Sequence, residues 1–399
     1  MCANYLFGDT YNNMRIANII EDGRLAGPQL RILAVAKALK EYKIDTTVIH
    51  PKYNASTFSE RLDAAGIHHV DLPLRTLSKG LFRVLNYVLS LPFELFLLYR
   101  LFSREKYDII HCSGGAWQIK GIIAAWLSGT KVIWHINDTA MPSKFIGFFN
   151  FVANRLADLV IVAGQSVKVH YGIDESSRFP VVEIQAPVDC KLFDPMKVSG
   201  FREYSSQSGL NIVTVANVNP LKGLEHFIDM AEILSDKYHE LKFHIIGPIY
   251  DSQKCYYEKL LCRAEEANIQ NLVFHGQSNN IKNILKSSDI YVCSSNNEAS
   301  PTSLWEAMAM EKAIVSTDVA DVSRYLIDGK SGFVAKTKTG ASLAEFVDVF
   351  VQDSELRKIC GIEARKIAIR NFEISRCAKK HAKAYHICES SAYEPNIFD

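Results

Sequence analysis

The chain lacks both glycine-rich fingerprints by which nucleotide phosphates are commonly recognised. Neither Gly-x-x-x-x-Gly-Lys-Ser/Thr nor a suitably placed Gly-x-Gly-x-x-Gly occurs in its 399 residues. That argues against a P-loop and against the dinucleotide turn. No two of its nine cysteines are spaced Cys-x-x-Cys. An odd, scattered set fits reduced thiols in a cytoplasmic protein better than a disulfide framework or a zinc site. Charge of one sign is missing too: 45 basic and 44 acidic residues leave +1, and no like-charged block reads as a tail. Nothing therefore draws the whole chain toward nucleic acid. Residues 1–9 hold no charged segment followed by a long apolar one, so no secretory signal is expected. Tandem repeats and low-complexity tracts are absent as well.

What is there is a folded composition, 48% hydrophobic and 22% charged. The length exceeds what one hydrophobic core serves, so two domains are expected. One run, LFRVLNYVLSLPFELFLLYRLF at 81–102, is long enough to span a membrane. Asn86, Pro92 and Glu94 interrupt it, and Arg83 and Arg100 frame it. A charge near the bilayer centre is costly. The expectation is one or two helices, broken at Pro92, that pack on the core or lie on a membrane surface.

Strand and helix patterns alternate. Apolar runs at 14–20, 46–49, 109–112, 131–135 and 159–162 read as strands, separated by helical patterns at 29–41, 118–127, 145–156 and 166–171. Regularity stops near Ala186-Pro-Val-Asp189, and the stretch to Gly209 reads as a linker. A second alternation follows, with strands at 211–216, 242–246, 272–274, 290–293 and 313–316 and helices between them. Beyond Gly340 the pattern is helical almost to Ser390. Such alternation implies βαβ units and parallel sheets. The expected class is α/β: two Rossmann-like domains facing across a cleft, with C-terminal helices. The expected division is 1–198, 199–371 and a terminal helix and tail, 372–399, packing back toward the first domain.

The most informative motif is Glu298-Ala-Ser-Pro-Thr-Ser-Leu-Trp-Glu306. Glu298 would leave a strand, and Glu306 would stand about one turn into the next helix. In open α/β sheets, ligands bind in the crevice at the carboxyl ends of strands. Between the acids, Pro301 suits a helix start. Thr302 and Ser303 would offer hydroxyls and free amides there, a setting that attracts phosphate. A diphosphate flanked by two carboxylates suits a sugar nucleotide. The alternative is a solvated loop acid followed by an ordinary helical glutamate. The turn Val215-Ala-Asn-Val-Asn-Pro-Leu-Lys-Gly223 would bring Lys222 to a neighbouring strand end, where an ammonium offsets charge on a leaving group. A solvated helix start is the plainer alternative. Gly27 precedes a helix and lets backbone approach a ligand. His111 and His135 both end apolar runs; each is either a hydrogen-bonded structural histidine or a group that meets a sugar hydroxyl.

Together these motifs resemble the family 4 glycosyltransferases. The resemblance runs along nearly the whole chain: Gly27-Pro28-Gln29, the strand ending at His135, Pro187-Val-Asp189 with Phe193, Lys222-Gly223, Glu298 with Glu306-Ala-Met-Ala, and Asp328-Gly-Lys-Ser-Gly332. It implies the GT-B fold and retaining transfer of sugar from a nucleotide. By this resemblance Glu298 holds the donor sugar, Glu306 the ribose, and Lys222 the diphosphate, with the amides of Thr302, Ser303 and Leu304 and those around Gly27. His135 would contact the donor sugar or the acceptor. The family usually has arginine five residues before the lysine; here Asn217 stands there, and Arg31 or Lys336 would have to compensate. No Asp-x-Asp stands at a strand end, so neither metal nor cofactor is expected, the nucleotide sugar being a substrate. The expected partners are that donor, a glycan or lipid-linked acceptor, and a membrane surface met through 81–102, without nucleic acid. A cytoplasmic place, peripheral on the inner face of the cell membrane, follows. Two rival readings share the scaffold: a sugar-nucleotide epimerase and a non-catalytic sugar-nucleotide-binding protein.

Overall fold

This computed structural model describes residues 13–77, 80–174, 176–200 and 209–390. The segment read for a secretory signal and residues 201–208 of the linker lie outside the described residues. The chain forms two compact units, Met1–Pro187 with Ile374–Asp399, and Val188–Glu373. The change at 187/188 precedes the sequence boundary at 198/199 for a physical reason. Val188 donates its amide to Phe372 and forms a bridge with Glu373. Arg365 donates to the carbonyl of Phe193 at 2.9 Å and lies 3.4 Å from Asp194. Residues 188–194 are thus sewn onto the second unit's last helix.

The first unit contains β1 (Met14–Ile20), α1 (Gly27–Leu39), β2 (Ile44–Pro51), α2 (Ser56–Ala64), β3 (His69–Leu72), α3 (Leu81–Glu105) and β4 (Ile109–Ser113). It continues with α4 (Lys120–Ser128), β5 (Lys131–Ile136), α5 (Ser143–Leu156), β6 (Leu159–Val162), α6 (Gln165–His170) and β7 (Val181–Glu183). Its sheet runs β3-β2-β1-β4-β5-β6-β7, with every strand pair parallel. Helices cover both faces of such a sheet, which is why its central strands β1, β4, β5 and β6 are buried along nearly their whole length rather than alternating. The topological switch falls between β1 and β4.

Pro92 does not break α3, contrary to the expectation of a break there. The helix is continuous over 25 residues with Pro92 inside it. Its buried stripe, Tyr87, Glu94, Leu98 and Phe102, keeps helical spacing across the proline, so packing outweighs one lost hydrogen bond. Glu94, read from sequence as an interruption, is the inward anchor. Its Oε2 lies 2.6 Å from Lys120 Nζ, which is 3.5 Å from Glu21 Oε2 and stands 4.0 Å from the Tyr87 ring centre. Burial pushes the Glu21 carboxyl up to about 7, with Lys120 opposing. The opposite face of α3 is exposed and apolar.

The second unit contains β8 (Asn211–Val215), α7 (Leu224–Lys237), β9 (Lys242–Ile246), α8 (Lys254–Glu266), β10 (Leu272–Gly276), α9 (Ile281–Ser287) and β11 (Ile290–Cys293). Then follow α10 (Thr302–Ala309), β12 (Ala313–Thr317), α11 (Val322–Tyr325), β13 (Phe333–Ala335), α12 (Gly340–Gln352) and α13 (Ser354–Asn371). The sheet order is β10-β9-β8-β11-β12-β13, again parallel, with its switch between β8 and β11. The last helix, α14 (Ile374–Ser390), returns to the first unit. There Cys377, Ala378, Ala382, Ala384 and Tyr385 join the core formed by β1, β4, β5, β6 and α1.

Candidate functional site

At the β8/β11 switch the two motif loops are bound to one another. The loop after β8 closes in a single turn, Pro220–Lys222, capped by Asn219 through its side-chain oxygen. Gly223 then takes φ 54°, and a Cβ there would meet the Ser294 carbonyl oxygen at 2.2 Å. Only glycine fits both that backbone and that approach. From the loop after β11, Asn296 and Asn297 donate their amides to the Leu221 carbonyl, and Ser294 donates its hydroxyl to the Lys222 carbonyl at 3.0 Å.

This stitching brings Lys222 Nζ to 2.6 Å from Glu298 Oε1. Ser295 donates to the same carboxylate oxygen at 2.8 Å. Burial favours the neutral amine of Lys222, but the Glu298 carboxylate outweighs it, so the ammonium is held more firmly than in water. Lys222 and Glu298 are both largely buried, with side-chain exposures of 26% and 13%.

Glu306 stands on the second turn of α10 and is partly buried. Its carboxyl has no hydrogen-bond or ionic partner among the described residues, and burial pushes it up to about 8. Helix α10 is fixed by its apolar face: Trp305 stacks on Phe372, with ring centres 4.0 Å apart, and donates to Ser300. Pro301 stands at the N-cap without a capping side chain. The amides of Thr302 and Ser303 have no partner among the described residues, whereas that of Leu304 donates to Pro301. Two of the three expected amides are thus open, and the Leu304 side chain is core. The Ser303 hydroxyl is already engaged with Tyr291, at 2.8 Å.

Asn217 is partly buried just beyond β8, and its amide has no partner among the described residues. Of the suggested substitutes for arginine, Arg31 is buried in the first unit and Lys336 is exposed. The lysine that reaches the motif loop is Lys338, which donates to the Asn296 carbonyl at 2.7 Å. Sequence reasoning missed it, as it missed Ser295. The nearness of Ser295 to Glu298 in sequence was the available signal for that serine.

Gly27 and His135 belong to the first unit. Gly27 is exposed at the start of α1, where an added Cβ would meet nothing within 4 Å. His135 is fully buried and both ring nitrogens are occupied, by Arg31 at 2.7 Å and His111 at 3.1 Å. It stands behind the strand edge as a bonded histidine.

Residues 26–176 match the model for glycosyltransferase family 4, and residues 202–367 match that for glycosyl transferases group 1. The chain belongs to glycosyltransferase family 4. This family 4 glycosyltransferase resembles an Anabaena protein, HepE, solved with UDP and glucose, at TM-score 0.77 and 17% identity over 93% of this chain and 98% of that one. The likeness establishes the GT-B fold of two Rossmann-like domains. A Campylobacter jejuni N,N'-diacetylbacillosaminyl-diphospho-undecaprenol alpha-1,3-N-acetylgalactosaminyltransferase is 26% identical over 204 residues, 50% of this chain and 52% of that protein. A Rhizobium leguminosarum lipopolysaccharide core biosynthesis mannosyltransferase is 24% identical over 221 residues, 53% of this chain and 62% of that protein. The match thus spans about half to three-fifths of these relatives' length.

Proposed function

We propose that this family 4 glycosyltransferase is a retaining hexosyltransferase that needs no metal. It would move sugar from a nucleoside diphosphate to a glycan or lipid-linked acceptor in cell-surface polysaccharide synthesis. The observation that carries the reading is the Lys222–Glu298 pair at 2.6 Å, placed at a topological switch point beside the open end of α10. In this reading Lys222 and the amides of Thr302 and Ser303 hold the diphosphate. Glu298 accepts hydrogen bonds from the sugar, and Glu306 accepts them from the ribose. The bond from the anomeric carbon to phosphate oxygen breaks while the acceptor oxygen bonds to the same face. The leaving phosphate takes the acceptor's proton, and Lys222 balances the charge left on it. The lipid-linked acceptor draws support from the undecaprenol in the Campylobacter relative's name.

A thermal-shift panel of nucleotide sugars tests the donor: binding to the folded state raises the melting temperature. Failure of every nucleoside diphosphate to bind would overturn the reading. Net isomerisation of the donor without acceptor would replace it with an epimerase.

The acceptor reading includes a peripheral place on the inner membrane face. Supporting it, α3 exposes Leu81, Phe82, Leu89, Phe93 and Phe96, and α5 exposes Phe145, Phe148 and Phe151. Helix α4 touches both. Exposed Arg83, Arg100, Arg104, Lys144 and Arg155 lie on the same two helices, while α5 carries no acid. On α3 the acids are Glu94, turned inward, and Glu105, beside Arg15 and Arg104. Aromatic and aliphatic residues among cations, without exposed acids between them, suit an anionic lipid surface. Phe93→Glu with Phe148→Glu is expected to cut co-sedimentation with anionic vesicles about tenfold or more, since each lost ring removes roughly 1.5–3 kcal/mol of apolar burial. Unchanged sedimentation, or a homodimer that this variant dissociates, would refute the lipid surface.

A further inference from the structure

At the carboxyl edge of the first unit's sheet, four side chains from four elements form one hydrogen-bonded chain. Arg31 of α1 reaches His135 of β5, with Nη1 2.7 Å from Nε2. His135 Nδ1 is 3.1 Å from His111 Nε2 on β4, and His111 Nδ1 is 2.7 Å from the Tyr385 hydroxyl on α14. The imidazoles of His111 and His135 are stacked nearly parallel, at 9°.

The direction of every bond follows from one fact: a guanidinium only donates. His135 Nε2 must therefore carry the lone pair, and its proton sits on Nδ1. That proton is donated to His111 Nε2, which must accept, so the proton of His111 sits on its own Nδ1 and points to Tyr385. Neither ring can become an imidazolium without breaking this chain. A third ring, His381 of α14, lies 5.8 Å from His135 and donates from Nδ1 to the Cys377 carbonyl at 2.8 Å. Burial and the neighbouring cation hold all three histidines below their ordinary range, which agrees with the bonding. Arg31 is 9% exposed, and Nη2 has no hydrogen-bond partner.

We propose that Arg31 is a positioning residue: by occupying His135 Nε2 it sets the tautomers of His135 and His111 and fixes the start of α1 against β4, β5 and α14. One turn before Arg31 lies Gly27, the open end of α1. A second tether, from Gln29 Nε2 to the Asp22 carbonyl at 2.7 Å, holds the same turn. For catalysis the inference rests on the sugar-transfer reading together with the family resemblance, which assigns the amides around Gly27 to the diphosphate. For the tautomers it rests on geometry alone.

The test is a 15N-histidine spectrum of the full-length protein. In the wild type, His135 and His111 are each expected as a single neutral tautomer protonated on Nδ1 at pH 7. Nε2–H signals or fast tautomer exchange for either ring would overturn the proposal without any variant. Arg31→Met is expected to release His135 into mixed tautomers and to lower kcat/KM about 10- to 100-fold, the scale of a misplaced binding group. Arg31→Lys, still a pure donor, is expected to restore the Nδ1–H signature and part of the rate. A Met variant with the wild-type spectrum refutes the positioning role, as does a Lys variant no better than Met. If the spectra behave as expected while neither wild type nor variant transfers sugar, the positioning stands and the sugar-transfer reading fails.

Discussion

Lys222→Ala is expected to lower turnover at saturating donor by about 100- to 1,000-fold, the cost of removing one preorganised group from a developing charge. The donor still binds, because the open amides of α10 and Glu306 are intact. The variant separates charge stabilisation from grip: kcat falls much more than KM rises. It also strands the Glu298 carboxylate, which loses its 2.6 Å partner and keeps, among the described residues, only Ser295. A double Lys222→Ala, Glu298→Gln protein is therefore expected to fold more stably than Lys222→Ala alone, by about 1 kcal/mol. Lys222→Arg recovers little, since the ammonium acts as a compact point charge in a closed turn. Single-turnover kinetics with and without EDTA decide the matter. Near-normal turnover of Lys222→Ala removes the lysine from the mechanism, and loss of wild-type rate on chelation removes its independence of metal.

The second large effect belongs to Glu306. Glu306→Ala is expected to weaken nucleotide binding about 10- to 100-fold, the loss of charge-assisted hydrogen bonds, and to abolish the thermal shift. The unliganded carboxyl, pushed up to about 8, is mostly protonated at pH 7. Ribose hydroxyls donating to it favour the ionised form, so binding releases a proton. Calorimetry at pH 7 in buffers of different ionisation enthalpy is expected to show nearly one proton released by wild type and none by Glu306→Gln. The stability sign is opposite to that of an ion-paired acid. A carboxyl whose folded pKa is raised costs stability as pH rises from about 4.5, its unfolded value, to about 8. The unliganded Gln variant should therefore melt above wild type at pH 8 and converge with it below pH 4.5. Equal melting at pH 8 would mean that this carboxyl titrates normally.

Most strands were legible because parallel sheets bury both faces and leave continuous apolar runs, such as Leu159–Val162 and Ile290–Cys293. Several short elements were not, α2, β3 and β7 among them. Helix α2 buries only Phe58 and Leu62, β3 has no fully buried residue, and β7 has one, so none carries a period strong enough to read. The motif loops were legible as types and spacings. Lys222 was expected at the same strand edge as Glu298, but the backbone bonds that stitch the two loops together were not legible, because they depend on β8 and β11 lying side by side. His135 shows the limit most plainly. A strand end fixes where a histidine sits but not what caps its nitrogens, and Arg31 lies 104 residues earlier. Glu94 misled for the same reason, since a hydropathy count is blind to a buried lysine one helix away.

The chain leaves the first unit at Pro187 and re-enters it at Ile374 to deliver α14. Much of one core, including Ala378, Ala382 and Tyr385, is therefore made only after the whole of the inserted unit. The usual order of synthesis-coupled folding is reversed. The inserted unit has every one of its elements before α14 is made and so can close its core first, while the earlier-made strands β1–β7 wait for α14 to complete theirs.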